Sequence, residues 1–198
     1  MSLPEGERLG ILGGTFDPPH YGHLALASEA AYRFHLDRMV LVPARRPPHK
    51  SRGPVAGFEH RLRMTSLAIG ENAMLEVRDL EGADASGYSV DLLASLHRSS
   101  STTYFVIGMD SLLELGAWKD PGRLLSLARV VAGSRPGYHP SRMPELARGR
   151  VEVFATPGLW ISSSELRERF AEGAPTAYLT PEKVRSYILE EGLYVTGS

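Results

Sequence analysis

The 198-residue chain contains no cysteine. That excludes disulfides, thiolate nucleophiles and cysteine-ligated metals. It also lacks a dominant charge: 22 basic and 23 acidic residues leave a net −1 at pH 7. No global field draws in nucleic acid or an anionic membrane, so any anion site must be a local cluster. No apolar run approaches the ~20 residues needed to cross a bilayer. Met1 to Arg8 lacks the apolar stretch of a secretory leader. These absences predict a cytoplasmic protein. The length suits one domain, residues 1–198, with a substantial core.

Apolar runs of strand length alternate with amphipathic stretches. Strands are predicted at Arg8–Leu12, Arg38–Pro43, Met74–Val77, Thr102–Ile107, Arg129–Ala132 and Val151–Ala155. Helices are predicted at Gly22–Phe34, Phe58–Ile69, Ser89–His97, Gly122–Ala128, Ser163–Phe170 and Pro181–Glu191. Thr180 is expected to cap the last of these, with Pro181 as its first residue. The alternation implies an α/β fold: a doubly wound parallel sheet covered by helices on both faces. A C-terminal helical segment, about 160–194, is expected to pack on it. The irregular stretches 44–57 and 133–144 are taken as loops within the domain.

In an open parallel sheet, ligands bind beyond the carboxyl ends of the strands. The first such end is Gly13-Gly14-Thr15-Phe16-Asp17-Pro18-Pro19-His20-Tyr21-Gly22-His23. The glycines let backbone approach a ligand closely. The helix that follows offers N–H groups and a positive dipole end to a phosphate. His20 and His23, three apart, can turn both rings to one point. On local grounds, Gly-Gly can also be a plain turn. The histidines can also be zinc ligands, although no HExxH pattern completes a set. Neither a Walker A loop nor GxGxxG is present.

Residues 13–23 together resemble the signature of the nucleotidylyltransferase superfamily, Gly-Thr-Phe-Asp-Pro followed by His-x-Gly-His. The resemblance implies direct attack of a substrate phosphate on the α-phosphorus of a nucleoside triphosphate, with pyrophosphate leaving. It implies that His20 and His23 contact the triphosphate and stabilise its developing charge. Such transfer asks for positioning and charge stabilisation more than covalent chemistry, so the absence of cysteine is no obstacle.

Other segments fall in register with it. Between Arg38 and Phe58 there is no acidic residue, while Arg38, Arg45, Arg46, Lys50 and Arg52 all lie there. They form either an anion-facing loop or a solvated face. Pro47-Pro48-His49-Lys50 resembles the pyridine-nucleotide branch of the superfamily, which implies Lys50 as a point charge on ATP phosphates. At the end of the strongest strand, Gly108 and Asp110 suit a ribose; Asp110 can equally cap a helix from Ser111. Gly108-x-Asp110-Ser111-Leu112 followed by Trp118 resembles nicotinate-mononucleotide adenylyltransferases, which implies that Trp118 stacks on the pyridine. Its alternative is a core position. Tyr88, Ser89 and Asp91 match a segment bordering the pyridine pocket, with Leu92 where threonine is usual. Ile161-Ser162-Ser163-Ser164-Glu165-Leu166-Arg167 resembles the second family signature. It reads as a serine-rich helix start for phosphates, with a Ser162–Glu165 capping box building it. Arg135-Pro136-Gly137-Tyr138 also matches, although Arg135 can be a surface residue.

The combined resemblance implies a Rossmann-like nicotinate-nucleotide adenylyltransferase, converting ATP and nicotinate mononucleotide to deamido-NAD and pyrophosphate. Under it the catalytic residues are His20, His23, Lys50 and Arg167. Gly13, Gly14, Thr15, Phe16, Gly108, Asp110, Ser162 and Ser163 would bind ATP; Tyr88, Ser89, Trp118 and Arg135 would bind the pyridine nucleotide. Mg2+ is expected to arrive with ATP, held by phosphates and water rather than by protein ligands. No nucleic acid or membrane partner is expected, and a homo-oligomer is left open. The alternatives are a nicotinamide-mononucleotide-preferring or phosphopantetheine adenylyltransferase, or a nucleotide-binding module without catalysis.

Overall fold

The computed structural model describes residues 7–47, 55–80, 86–96, 102–134 and 142–195. Its strands are β1 (Arg8–Gly14), β2 (Arg38–Pro43), β3 (Leu75–Val77), β4 (Thr102–Gly108), β5 (Arg129–Ser134) and β6 (Glu152–Ala155). They form one sheet in the order β3-β2-β1-β4-β5-β6, and every neighbouring pair is parallel. The helices are α1 (Tyr21–Arg33), α2 (Phe58–Ile69), α3 (Ser89–Leu96), α4 (Met109–Leu113), α5 (Pro121–Leu127), α6 (Ser163–Ala171) and α7 (Glu182–Glu190).

The chain winds outward from β1 through β2 to β3, then returns to β4 beside β1 and winds the other way. The direction reverses between β1 and β4. Such a switch point opens a crevice at the carboxyl ends of the two strands. The Gly13-Gly14 motif and Gly108 end those two strands.

Successive strand residues point to opposite faces, and both faces are buried. Leu9 and Ile11 of β1, Val40 and Val42 of β2, and Phe105 and Ile107 of β4 enter one core with Leu93 of α3, Leu112 of α4 and Leu124 of α5. Leu12, Met39, Leu41, Tyr104 and Val106 enter the other, under Ala27, Ala30 and Ala31 of α1. This two-sided burial is why the strands read as continuous apolar runs. A third cluster joins Met64 and Ala68 of α2 to Phe170 of α6 and to Val184 and Ile188 of α7. It ties the C-terminal helices to the layer that carries α2.

Three local expectations need correction. Strands β1, β4 and β5 run on to take Gly13, Gly14, Gly108 and Gly133 into the sheet, so Gly13-Gly14 is not a plain turn and the stretch taken as a loop from 133 begins only after Ser134. Asp110 does not cap a helix from Ser111. Helix α4 starts at Met109 with Gly108 at its N-cap, and Asp110 lies exposed in the first turn. Thr180 does not cap α7, where Pro181 holds that position. Thr180 is buried and its Oγ1 donates to the Pro19 carbonyl at 2.8 Å. Among the described residues no helix is long and apolar enough to cross a membrane.

Ile188 has no exposed surface. Ile188→Ala is expected to lower unfolding free energy by about 2–5 kcal/mol. Urea denaturation checks this, and α2 and the sheet should unfold in the same transition.

Candidate active site

The loop between β1 and α1 turns back on itself at Phe16, whose φ is 50°. The whole residue is 1% exposed, so Phe16 offers almost no surface of its own to a ligand. The ring lies against Gly14: a Cβ there would sit 3.0 Å from Phe16 Cζ. Gly14 therefore makes room for an aromatic ring.

The Phe16 ring meets His23 edge-on, with centroids 5.0 Å apart. His20 and His23 stack at 3.7 Å with planes 27° apart. His20 is the extended N-cap of α1, and its backbone N–H donates to His23 Nδ1 at 3.2 Å. A neutral His23 accepting at Nδ1 carries its proton on Nε2, and so presents a donor at the other side of the ring. Gly22 completes the arrangement. A Cβ at Gly22 would lie 3.0 Å from both Cε1 and Nδ1 of His20. The His-x-Gly-His spacing was visible in the sequence, but the glycine's part in seating His20 was not.

Asp17 has no exposed surface. Its carboxylate accepts from Val55 N–H at 2.8 Å, Ala56 N–H at 3.1 Å and the Tyr194 hydroxyl at 2.7 Å. Burial first, and then the Asp17 charge, hold the Tyr194 phenol above its ordinary range. Arg167 Nη1 donates to the Asp17 carbonyl at 2.7 Å and lies 3.9 Å from Oδ2. Ser163 Oγ donates to the Pro18 carbonyl at 2.9 Å.

Arg61 is likewise fully buried. It donates to the carbonyls of Thr15 (2.8 Å), Ala56 (3.1 Å) and Arg45 (3.4 Å). The carbonyls of Thr15, Asp17, Pro18 and Pro19 thus all bond to side chains from α2, α6 or the segment before α7. An anion site needs its loop carbonyls occupied elsewhere, and this bracing supplies that. Asp17, Arg61 and Tyr194 were missed as site residues, because nothing in the local sequence distinguishes a braced Arg61 from a solvated one.

Helix α6 keeps half of the expected Ser162–Glu165 box: Ser162 at the N-cap accepts from Glu165 N–H at 3.1 Å, but the reciprocal bond does not form. The Glu165 carboxylate bonds Arg169. Arg167 Nη2 also donates to Ser164 Oγ at 3.2 Å.

A cleft of about 240 Å³ opens on the other side of the motif, with Gly13, Gly14 and Thr15 on one wall and Tyr88, Ser89 and Trp118 on the other. Typical ligand pockets span roughly 300–1,000 Å³, so this cleft is smaller than a whole dinucleotide-sized site. Trp118 packs edge-on against Phe105 at 6.3 Å, at the margin of the core, and also lines the cleft. Leu92, at the position where threonine is usual, is buried in the core and also lines the cleft. Asp91 accepts from Ser86 Oγ at 2.5 Å and from Lys119 Nζ at 2.9 Å. These bonds, Ser86 first, hold its carboxyl below the usual carboxylate range. Gly108 and Asp110 stand at the end of β4, beside β1.

The basic stretch divides. Arg38 bonds Glu7 at 2.8 Å and pairs with Glu76 at 3.7 Å. Arg45 pairs with Asp79 and lies over the Phe58 ring at 4.1 Å. A segment that lacks acids in sequence thus meets acids brought from β3 and the ends of other strands. Lys50 and Arg135 lie outside the described residues.

Comparison with known proteins gives a consistent set. A family model described as cytidylyltransferase-like matches residues 11–169. A relative from Desulfitobacterium hafniense is 41% identical, over 95% of this chain and 96% of its own length. One from Moorella thermoacetica is 40% identical, over 94% and 91%. Both carry the name "Probable nicotinate-nucleotide adenylyltransferase". Among solved structures, Plasmodium falciparum nicotinic acid mononucleotide adenylyltransferase complexed with NaAD superposes with a TM-score of 0.79 at 23% identity, covering 95% of this chain and 97% of that one. At that identity the likeness concerns the fold.

Gly22→Ala is expected to push the His20 ring aside by a few tenths of an ångström. Turnover with a nucleoside triphosphate should fall about tenfold or more. The melting temperature should hold or rise, because alanine suits a helix better than glycine. Steady-state kinetics beside a thermal melt separate the two effects.

Proposed function

The chain belongs to the cytidylyltransferase-like family, and from that premise we propose that it transfers the adenylyl group of ATP to nicotinate mononucleotide, giving deamido-NAD and pyrophosphate. The observation that carries this reading is the meeting of two unlike parts at the end of β1. One is the stacked His20–His23 pair on its braced loop. The other is the aromatic cleft of Tyr88 and Trp118, and Gly13 and Gly14 line that cleft from the loop side. A triphosphate suits the first and a pyridine ring the second.

In the proposed reaction a phosphate oxygen of the pyridine nucleotide attacks the α-phosphorus of ATP. The new P–O bond forms as the bond to the β-phosphate bridge breaks, and the electron pair leaves with pyrophosphate. The attacking phosphate is already anionic, so no side chain has to take a proton from it. We assign His23 Nε2–H and His20 to the phosphate oxygens, where fixed donors stabilise charge that grows in the transition state. Arg167 holds the loop and adds positive charge behind it. Lys50 is proposed as a further cation on the phosphates, and Gly108 and Asp110 as the ribose end of the ATP site. Mg2+ is proposed to enter with ATP: among the described residues no three acidic or histidine side chains cluster as a cation cage, and Mg2+ commonly keeps phosphate and water ligands. Bound there, it would neutralise phosphate charge.

In this proposal the whole chain works as one unit, α6 and α7 bracing the loop. A cysteine-free chain acting on two phosphorylated metabolites fits the cytoplasm. The reaction needs no nucleic acid or membrane, and a homo-oligomer is compatible with it.

The test is an acceptor panel: ATP with nicotinate mononucleotide, nicotinamide mononucleotide or phosphopantetheine, with pyrophosphate as the readout. Pyrophosphate should appear with the pyridine acceptors, nicotinate foremost; nucleotide binding without turnover would overturn the proposal. His23→Ala should lower kcat by about 10²-fold or more with the fold intact by circular dichroism. Trp118→Ala should raise KM for the pyridine nucleotide by up to about tenfold, and KM for ATP much less. An equal rise in both would count against stacking.

A further inference from the structure

The rim of the pyridine cleft carries a cation that the motifs do not single out. Lys119 follows Trp118 in the chain and lines the same cleft. Its Nζ stands 4.7 Å from the centroid of the Tyr88 ring and 2.9 Å from Asp91 Oδ2. Asp91 is itself positioned by Ser86 at 2.5 Å, and Ser86 Oγ accepts from Tyr88 N–H at 3.2 Å. The ammonium is therefore held above one aromatic wall of the cleft and next in chain to the other.

An ammonium carries three N–H donors, and Asp91 takes one of them. Asp120, next in the chain after Lys119, turns its carboxylate to the Arg123 backbone N–H at 3.1 Å. The other two N–H groups of the Lys119 ammonium are donors that an anionic ligand group in the cleft can take. The acid and amide forms of a pyridine nucleotide differ at the edge of the ring, which bears a carboxylate in one and a neutral amide in the other. A charge-assisted bond to the carboxylate is about twice as strong as one to the neutral group.

We infer that Lys119 selects the acid form of the pyridine nucleotide: its ammonium, held over Tyr88 by Asp91, pairs with the ring carboxylate. The inference rests on the proposal that a pyridine mononucleotide is the acceptor. Lys119 is a specificity residue at the cleft rim, and its side chain is 47% exposed. Solvent screens such a pair, so its effect is moderate and depends on salt.

The experiment measures kcat/KM for nicotinate and nicotinamide mononucleotides at saturating ATP, in the wild type, Lys119→Met and Lys119→Arg. Lys119→Met should lower kcat/KM for the nicotinate form about 5- to 10-fold, mainly through KM. The nicotinamide form should change by less than about twofold, because a neutral amide gains little from the charge. Lys119→Arg should keep most of the preference, and added salt should erode it in the wild type but not in Lys119→Met. Calorimetric binding of deamido-NAD and NAD gives the same comparison where turnover with the amide is too slow. An unchanged acid-to-amide ratio in Lys119→Met, or an equal fall with both forms, would overturn the inference. A wild type that uses neither pyridine nucleotide would instead overturn the proposed function.

Discussion

A carboxylate sealed from water must find its partners in the protein, and Asp17 finds hydrogen bonds in two separate parts of the chain and an ion pair in a third. Burying such a charge costs several kcal/mol unless it is paired and bonded. Val55 and Ala56 supply backbone donors at the exit of the basic loop, Tyr194 a hydroxyl from beyond α7, and Arg167 a guanidinium from α6. Arg61 repeats the device with opposite sign, taking three carbonyls. Between them these two buried charges determine the path of residues 15–20. The C-terminal helices, remote in sequence, thereby become part of the bracing of that loop.

The position of the site follows from topology. Because β1 and β4 lie side by side while their connections run in opposite directions, the sheet leaves a crevice at their ends. The chain fills that crevice with two environments. The half toward α1 and α6 is rigid: its rings are stacked and its carbonyls are bonded away, so donors are in place before any ligand arrives. Such preorganisation is what charge stabilisation at a phosphorus centre requires. The half toward α3 is aromatic, with Lys119 at its rim bonded to Asp91. The first half suits a group common to all nucleoside triphosphates, and the second can distinguish between acceptors.

Small residues near the motif serve side-chain packing as much as ligand approach. Gly14 yields to Phe16 and Gly22 to His20, in both cases because a Cβ would crowd a ring. A Gly-Gly turn and a His-x-Gly-His spacing advertise these sites in sequence. They do not tell whether a ligand or a neighbouring ring occupies the space. The basic stretch is the opposite case. Counting charges from Arg38 to Phe58 finds no acid, yet Glu7, Glu76 and Asp79 reach Arg38 and Arg45 from other elements.

Local periodicity was enough for the order and type of nearly every element, because strands buried on both faces and helices buried on one impose patterns that neighbouring residues carry. The motifs at 13–23 and 160–167 were likewise legible, since the helix starts they build are set by residues close together in the chain. Tertiary structure alone decided that Asp17, Arg61 and Tyr194 belong with the histidines, that Thr180 ties down Pro19 instead of capping a helix, and that Lys119 overlooks the ring of Tyr88. Each of these depends on which distant segment meets a buried polar atom, and a desolvated charge accepts whatever partner the fold delivers, regardless of distance along the chain.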